Sequence, residues 1–275
     1  MDLNEHRVEL KVAGTSPVRL SVVDIGPTES PSRGTIVCLH GAAGTADQWS
    51  AQIEHLAPNY RIIAPDLRGH GKSEIPSSAY SLEEFLWDFT QLLSLLKVEE
   101  PFILMSHSFG GPIALTFAAA QPQRLSKLVL IATAPEMHIH PLHEFIVKLP
   151  IHLGYLERLR PIVMPKTYAP AFVIQRVLAG TLFRWRGYDL LPAIRIPTLV
   201  VAGQWDFIVP LAMAQKTHEL LLNSRLEVIR YTRHLPHLER PAAVNRILDR
   251  FLLGRTSWRE ASIPAPSEGK ALNDE

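Results

Sequence analysis

The stretch "FILMSHSFGGPIALTFAAA" (Phe102–Ala120) changes period in its middle. Phe102–Met105 is a continuous apolar run of the kind found in a strand buried on both faces. From Phe109 onward, small and apolar residues at helical spacing take over, so Ser106, His107 and Ser108 sit at a strand–helix junction. Such a junction lifts one side chain out of the surface only if the turn is tight. Residues two before and two or three after the lifted position must then be small. Ser106, Gly110 and Gly111 meet that requirement around Ser108. Ser106 therefore reads as a packing residue, Ser108 as the candidate nucleophile, and His107 as a local packing or hydrogen-bonding residue. The amide of Phe109, at the helix start, is placed to meet a developing oxyanion.

The same alternation extends along the chain. "VELKVA" (Val8–Ala13) and "RLSVVDI" (Arg19–Ile25), joined by Gly14-Thr15-Ser16-Pro17, read as a hairpin. "TIVCLH", "RIIAPD", "FILMS", "KLVLIAT", "TLVVAG" and "LEVIRY" follow as strands. Helical stretches near Ala46–Leu56, Ser81–Leu96, Phe109–Ala120, Leu211–Leu222 and Pro241–Leu253 intervene or close the series. The pattern predicts an α/β fold: a doubly wound, mostly parallel sheet of eight strands with an antiparallel start. Residues 136–191 lack a strand signal and carry several prolines and many bulky apolar residues. They read as a helical cap inserted between strands 6 and 7, which leaves 1–135 and 192–254 as the core. Residues 255–275 lose periodicity and are expected to form a disordered tail.

A serine hydroxyl becomes nucleophilic only when a base takes its proton and an acid orients that base. Both should lie at later strand ends. Asp206 follows the seventh strand in "TLVVAGQWDFIVP", and His234 follows the eighth in "LEVIRYTRHLPHLERP". Ser108, Asp206, His234 is the chain order that this architecture requires. Two competitors stand nearby: His237, where the last helix or its cap starts, and Glu136, which also follows a strand. A second oxyanion donor is expected from "HGAAGTADQW", where Gly41 lets the backbone bend and the amide of Ala42 can join that of Phe109. His40 reads as a brace for this loop.

Composition narrows the partners. Net charge is +1, from 28 basic and 27 acidic residues, which gives no electrostatic footprint for nucleic acid or an anionic membrane. No apolar run reaches the length of a spanning helix, so stable membrane insertion is not expected. The single cysteine, Cys38, lies in an apolar strand and has no internal partner. The polar N-terminus lacks the apolar stretch of a secretion signal, which makes the cytoplasm the default location. The partner expected is a small-molecule substrate, and the sequence leaves the oligomeric state open. "EMHIHPLH" offers His138, His140 and His143 to a metal, but without further ligands at fixed geometry. No metal and no cofactor are expected. In the cap, Phe145, Ile146, Leu149, Phe172, Val173, Leu178 and Phe183 are expected mainly to pack, with a few lining an apolar entrance. Trp205 and Phe207 flank Asp206 and are expected mainly to pack, with pocket lining as the alternative.

With "LHGAAGTADQW", "APDLRGHGKS", "SHSFGG", "AGQWDFIVP" and "HLPHLERP" in view, the chain resembles the α/β-hydrolase superfamily from about Val8 to Leu253. The resemblance implies a structural role for Asp66–Ser73. It also fits His234, Glu239 and Pro241 to the family's His-x-x-x-x-Glu-x-Pro, which favours His234 over His237. Ser106 and Arg233 depart from it, standing where the family often has glycine. Serine rather than aspartate at 108 argues against dehalogenase and epoxide hydrolase chemistry. The implied activity is that of a carboxylic ester hydrolase. Carbon–carbon hydrolysis, perhydrolysis and a slow-turnover ligand sensor are the alternatives.

Overall fold

The computed structural model describes residues 1–136 and 168–254. Its centre is one eight-stranded sheet, ordered β1-β2-β4-β3-β5-β6-β7-β8. The strands are β1 Arg7–Val12, β2 Val18–Ile25, β3 Thr35–Leu39, β4 Arg61–Pro65, β5 Phe102–His107, β6 Leu125–Ile131, β7 Thr198–Gly203 and β8 Ser224–Ile229. β2 runs antiparallel to both β1 and β4, and every other pairing is parallel. The expected α/β architecture with an antiparallel start is the one observed.

Unbroken apolar runs produce this sheet because it is buried on both faces. Along β3 the side chains alternate between two separate cores. Val37 and Leu39 join one with α2 (Leu82–Leu95) and α3 (Gly110–Ala120), while Ile36 and Cys38 join the other with α1 (Ser50–Leu56) and the C-terminal helix Pro241–Leu252. On the first face, aromatic edges meet ring faces, Phe85 with Phe109 at 4.8 Å and Phe89 with Phe117 at 4.9 Å between centroids. α2 begins at a reciprocal cap: Ser81 Oγ accepts from the Glu84 amide, and the Glu84 carboxylate accepts from the Ser81 amide.

Between β6 and β7 the described residues form no strand. They include the helix Ala171–Arg176, a wider-wound continuation over Val177–Leu182 and a tight helix over Tyr188–Ala193. Val173, Val177, Leu182 and Leu191 are buried in the first core, so this part of the expected cap is anchored by packing. Phe172 is partly exposed, whereas Phe183 is buried. Cap residues 137–167, with Phe145, Ile146, Leu149, His138, His140 and His143, and the expected tail 255–275 lie outside the described residues. Among the described residues, no helix is long and apolar enough to cross a membrane.

Asp66–Ser73 forms a braced loop. Asp66 is buried and accepts from Arg7 Nη1 (2.9 Å) and from the amides of Ala46 (2.7 Å) and Lys72 (2.9 Å). Gly71 has a φ of +54°, and a Cβ there would come within 2.5 Å of Asp66 Oδ2. The carboxylate thus ties the entry of the chain, the loop after β3 and the loop after β4 into one block.

Candidate active site

β5 ends at His107, and α3 starts at Gly110. Between them Ser108 takes a φ of +46°, a left-handed conformation that non-glycine residues seldom adopt and that is held here from several sides. Its amide donates to the Ile131 carbonyl (3.0 Å), and its own carbonyl accepts from the Gly111 amide (2.8 Å) and from Thr133 Oγ1 (2.8 Å). The turn has no room for larger neighbours. A Cβ on Gly110 would lie 2.6 Å from the Leu39 carbonyl oxygen, and one on Gly111 would lie 1.9 Å from Thr133 Oγ1. Ser106 is fully buried, as a packing residue should be.

Ser108 Oγ lies 2.9 Å from His234 Nε2, and His234 Nδ1 lies 2.8 Å from Asp206 Oδ2. Asp206 Oδ1 accepts from the amides of Ile208 (2.8 Å) and Val209 (2.9 Å). The carboxylate is therefore fully engaged, and it faces His234 with its second oxygen. These contacts also set the tautomer: the acceptor at Nδ1 fixes the ring proton there and leaves Nε2 bare toward the serine. Ser108, Asp206 and His234 come from the C-terminal sides of β5, β7 and β8, where open α/β sheets place their ligand sites.

The loop carrying His234 is shaped by Glu239 and Gly203. The Glu239 carboxylate accepts from the amides of Arg233 (2.9 Å) and Leu235 (3.2 Å), one on each side of His234. At the end of β7, a Cβ on Gly203 would fall 1.9 Å from the Arg233 carbonyl oxygen, so only glycine lets the loop settle there. The Arg233 side chain is exposed. Neither competitor occupies the place of its rival. Glu136 is engaged by Arg186 Nε (3.1 Å) and the Tyr188 hydroxyl (3.1 Å), while His237 is buried and meets Gln48.

In the loop after β3, His40 Nδ1 donates to the Gly41 carbonyl (2.7 Å) and Nε2 accepts from the Leu67 amide (2.9 Å). Burial pushes this imidazole down to about 4, against the opposing pull of the Gly41 bond. A neutral ring is the only form that makes both bonds. Ala43 has a φ of +60°, and its carbonyl accepts from the Tyr168 amide (2.9 Å), so the segment at Tyr168 clamps this loop. The amides of Ala42 and Phe109 donate to no acceptor among the described residues. Trp205 and Phe207 are exposed, contrary to the packing expected of them, because the turn after β7 carries them outward. Trp205 touches only the edge of Tyr231 among the described rings (5.3 Å). One site neighbour escaped the sequence reading. Gln48 lies inside "HGAAGTADQW" but has no role assigned to it there, yet its side chain reaches two histidines that are distant in the chain.

Comparison with known proteins agrees with this architecture. The family model described as the alpha/beta hydrolase fold matches residues 34–172. A protein of Bacillus subtilis (strain 168), provisionally named a 2-succinyl-6-hydroxy-2,4-cyclohexadiene-1-carboxylate synthase, is 28% identical over 269 aligned residues, covering 86% of this chain and 95% of that one. The uncharacterized hydrolase YugF of the same organism is 29% identical, covering 86% and 98%. Among solved structures, a thermophilic esterase from Thermogutta terrifontis superposes with a TM-score of 0.77 at 26% identity, covering 91% of this chain and 99% of that one. The chain belongs to the α/β-hydrolase family.

Proposed function

We propose that the protein is a serine hydrolase that cleaves a carboxylic ester of a small, largely apolar substrate. The observation that carries this reading is the hydrogen-bonded series Ser108 Oγ, His234, Asp206, with both of its spacings below 3 Å. The esterase likeness supports it. In the first step His234 Nε2 takes the Ser108 proton as Oγ bonds to the acyl carbon. The carbonyl electron pair moves onto oxygen, facing the amides of Ala42 and Phe109. Such donors are worth about 2.7–4 kcal/mol each in the barrier. The tetrahedral centre then collapses, the ester C–O bond breaks, and the alcohol leaves with the proton from His234. A water molecule, deprotonated by His234, attacks the acyl-enzyme, and the acid departs as Ser108 recovers its proton. Throughout, Asp206 holds the ring orientation and faces the imidazolium.

Turnover of short p-nitrophenyl esters tests this reading. Multiple turnovers by the parent protein and none by Ser108→Ala support it. A single slow turnover would instead mark a ligand sensor.

A second reading has an observation of its own. The Arg233 guanidinium, exposed next to His234, meets no carboxylate among the described residues. It would suit an acidic substrate and carbon–carbon chemistry on the same three residues, in keeping with the carboxylate in the name of the Bacillus relative. Arg233→Gln should then raise KM for acidic substrates and leave neutral esters unaffected.

A further inference from the structure

Behind the three proposed residues lies a second polar set that the reaction itself does not use. His107 Nε2 lies 2.9 Å from the backbone carbonyl oxygen of His234. His107 Nδ1 lies 3.1 Å from Gln48 Nε2, and the same Gln48 nitrogen lies 3.1 Å from His237 Nε2. His107 and His237 are buried, with ring centroids 4.7 Å apart. Their protons follow from the partners. A carbonyl only accepts, so His107 carries its hydrogen on Nε2. Burial, with two neighbouring imidazoles, keeps the ring neutral and its Nδ1 bare. A bare nitrogen needs a donor, and Gln48 supplies one N–H. Its second N–H points to His237 Nε2, which must also be bare, so His237 holds its proton on Nδ1. That atom has no partner among the described residues. The ring nevertheless remains in place, stacked 4.7 Å from Trp49.

We propose that Gln48 is a positioning residue whose side-chain amide, donating to His107 and His237 together, holds the candidate oxyanion loop, the Ser108 turn and the His234 loop in one register. This rests on the serine hydrolase reading and adds the part that keeps its groups aligned. His107 precedes Ser108 in the chain and grips the His234 backbone, so the 2.9 Å spacing between serine and imidazole depends on it. Gln48 comes from the segment that follows Ala42. The glycines of that segment make room for the network: a Cβ on Gly41 would lie 2.6 Å from His107 Nδ1, and one on Gly44 would lie 2.2 Å from Gln48 Oε1. Among uncharged side chains, only a primary amide of this length offers two donors from one atom. Glutamate offers none, and asparagine is one methylene short.

The first test is the tautomer pattern in the unaltered protein, read by long-range proton–nitrogen NMR of the imidazoles. The expected result is His107 protonated at Nε2 and His237 at Nδ1. His237 protonated at Nε2 would overturn the proposal even if no variant folds. The second test is Gln48→Met assayed on p-nitrophenyl acetate. A kcat lowered about 10- to 100-fold with KM within about twofold is expected, the scale set by small misplacements of reacting groups. A parental kcat in folded Gln48→Met would also overturn it. Ser108→Ala separates the two ideas: if that variant still turns over, the serine reading falls, while the tautomer result continues to decide the network.

Discussion

At the scale of single residues, the site is a set of close approaches that each tolerate one side chain. Gly203→Ala would set a methyl group against the Arg233 carbonyl, a backbone atom that cannot swing aside. The loop carrying His234 must then move. Because reacting groups displaced by about 1 Å can lose about 100-fold in rate, this variant should lose most of whatever turnover of p-nitrophenyl acetate the parent shows, while still folding. Paired measurement of kcat and the thermal midpoint checks it, and parental kcat would count against the account of the loop. Asp206→Asn keeps the size of the side chain but no longer fixes the proton on His234 Nδ1, so kcat should fall by about 10⁴-fold. Single-turnover kinetics on p-nitrophenyl acetate would show whether the loss lies in acylation. Ser108, His234 and Asp206 could be read from strand ends because each sits at a fixed offset from an apolar run. Gln48 could not, since its partners are 59 and 189 residues away in the chain. No local pattern marks such a pairing.

At the scale of elements, α2 is joined to the loop after β4 by one buried guanidinium. Arg68 donates to both oxygens of Asp88 (2.7 Å each) and to Glu84 (3.0 Å), with its side chain 1% exposed. Burial raises the Asp88 carboxyl above its ordinary range, and Arg68 opposes that rise. Arg68→Met would leave Asp88 buried without its counter-charge, at a cost of about 3–5 kcal/mol. The loss should shrink in acid, where Asp88 takes up a proton. Urea unfolding of parent and variant at two pH values measures both effects. Element existence was legible in the sequence, and boundaries were less so. The helix expected from Ala46 opens as a tight turn over Ala46–Trp49 and becomes regular only at Ser50. β6 starts at Leu125, two residues before the expected "KLVLIAT", because the buried Leu125 is separated from that run by Ser126, which is only partly buried. The wider winding at Val177–Leu182 left no mark in the residue pattern.

At the scale of the whole molecule, the four histidines around the site couple stability to pH. Burial pushes His40 to about 4, His70 and His237 to about 3, and His107 well below the ordinary range. Folded, these rings stay neutral where the unfolded chain already binds protons. Their contribution is complete above about pH 6.5 and is lost as the pH falls toward 4, by about 1.4 kcal/mol per pH unit for each ring. The urea midpoint should therefore drop between pH 7 and pH 5, and a flat midpoint over that interval would contradict the buried, neutral assignment. The doubly wound plan was legible because burial on both faces forces unbroken apolar strands, and β3 serves two cores with five consecutive buried residues. The sequence did not show how the loops at the C-terminal ends of those strands interlock. That depends on bonds between segments from opposite ends of the chain.

The most direct test of the central claim is covalent labelling with a fluorophosphonate, followed by intact mass and peptide mapping. One adduct per chain on Ser108, absent from Ser108→Ala, is the result predicted. An adduct on another residue, or undiminished labelling of Ser108→Ala, would contradict it.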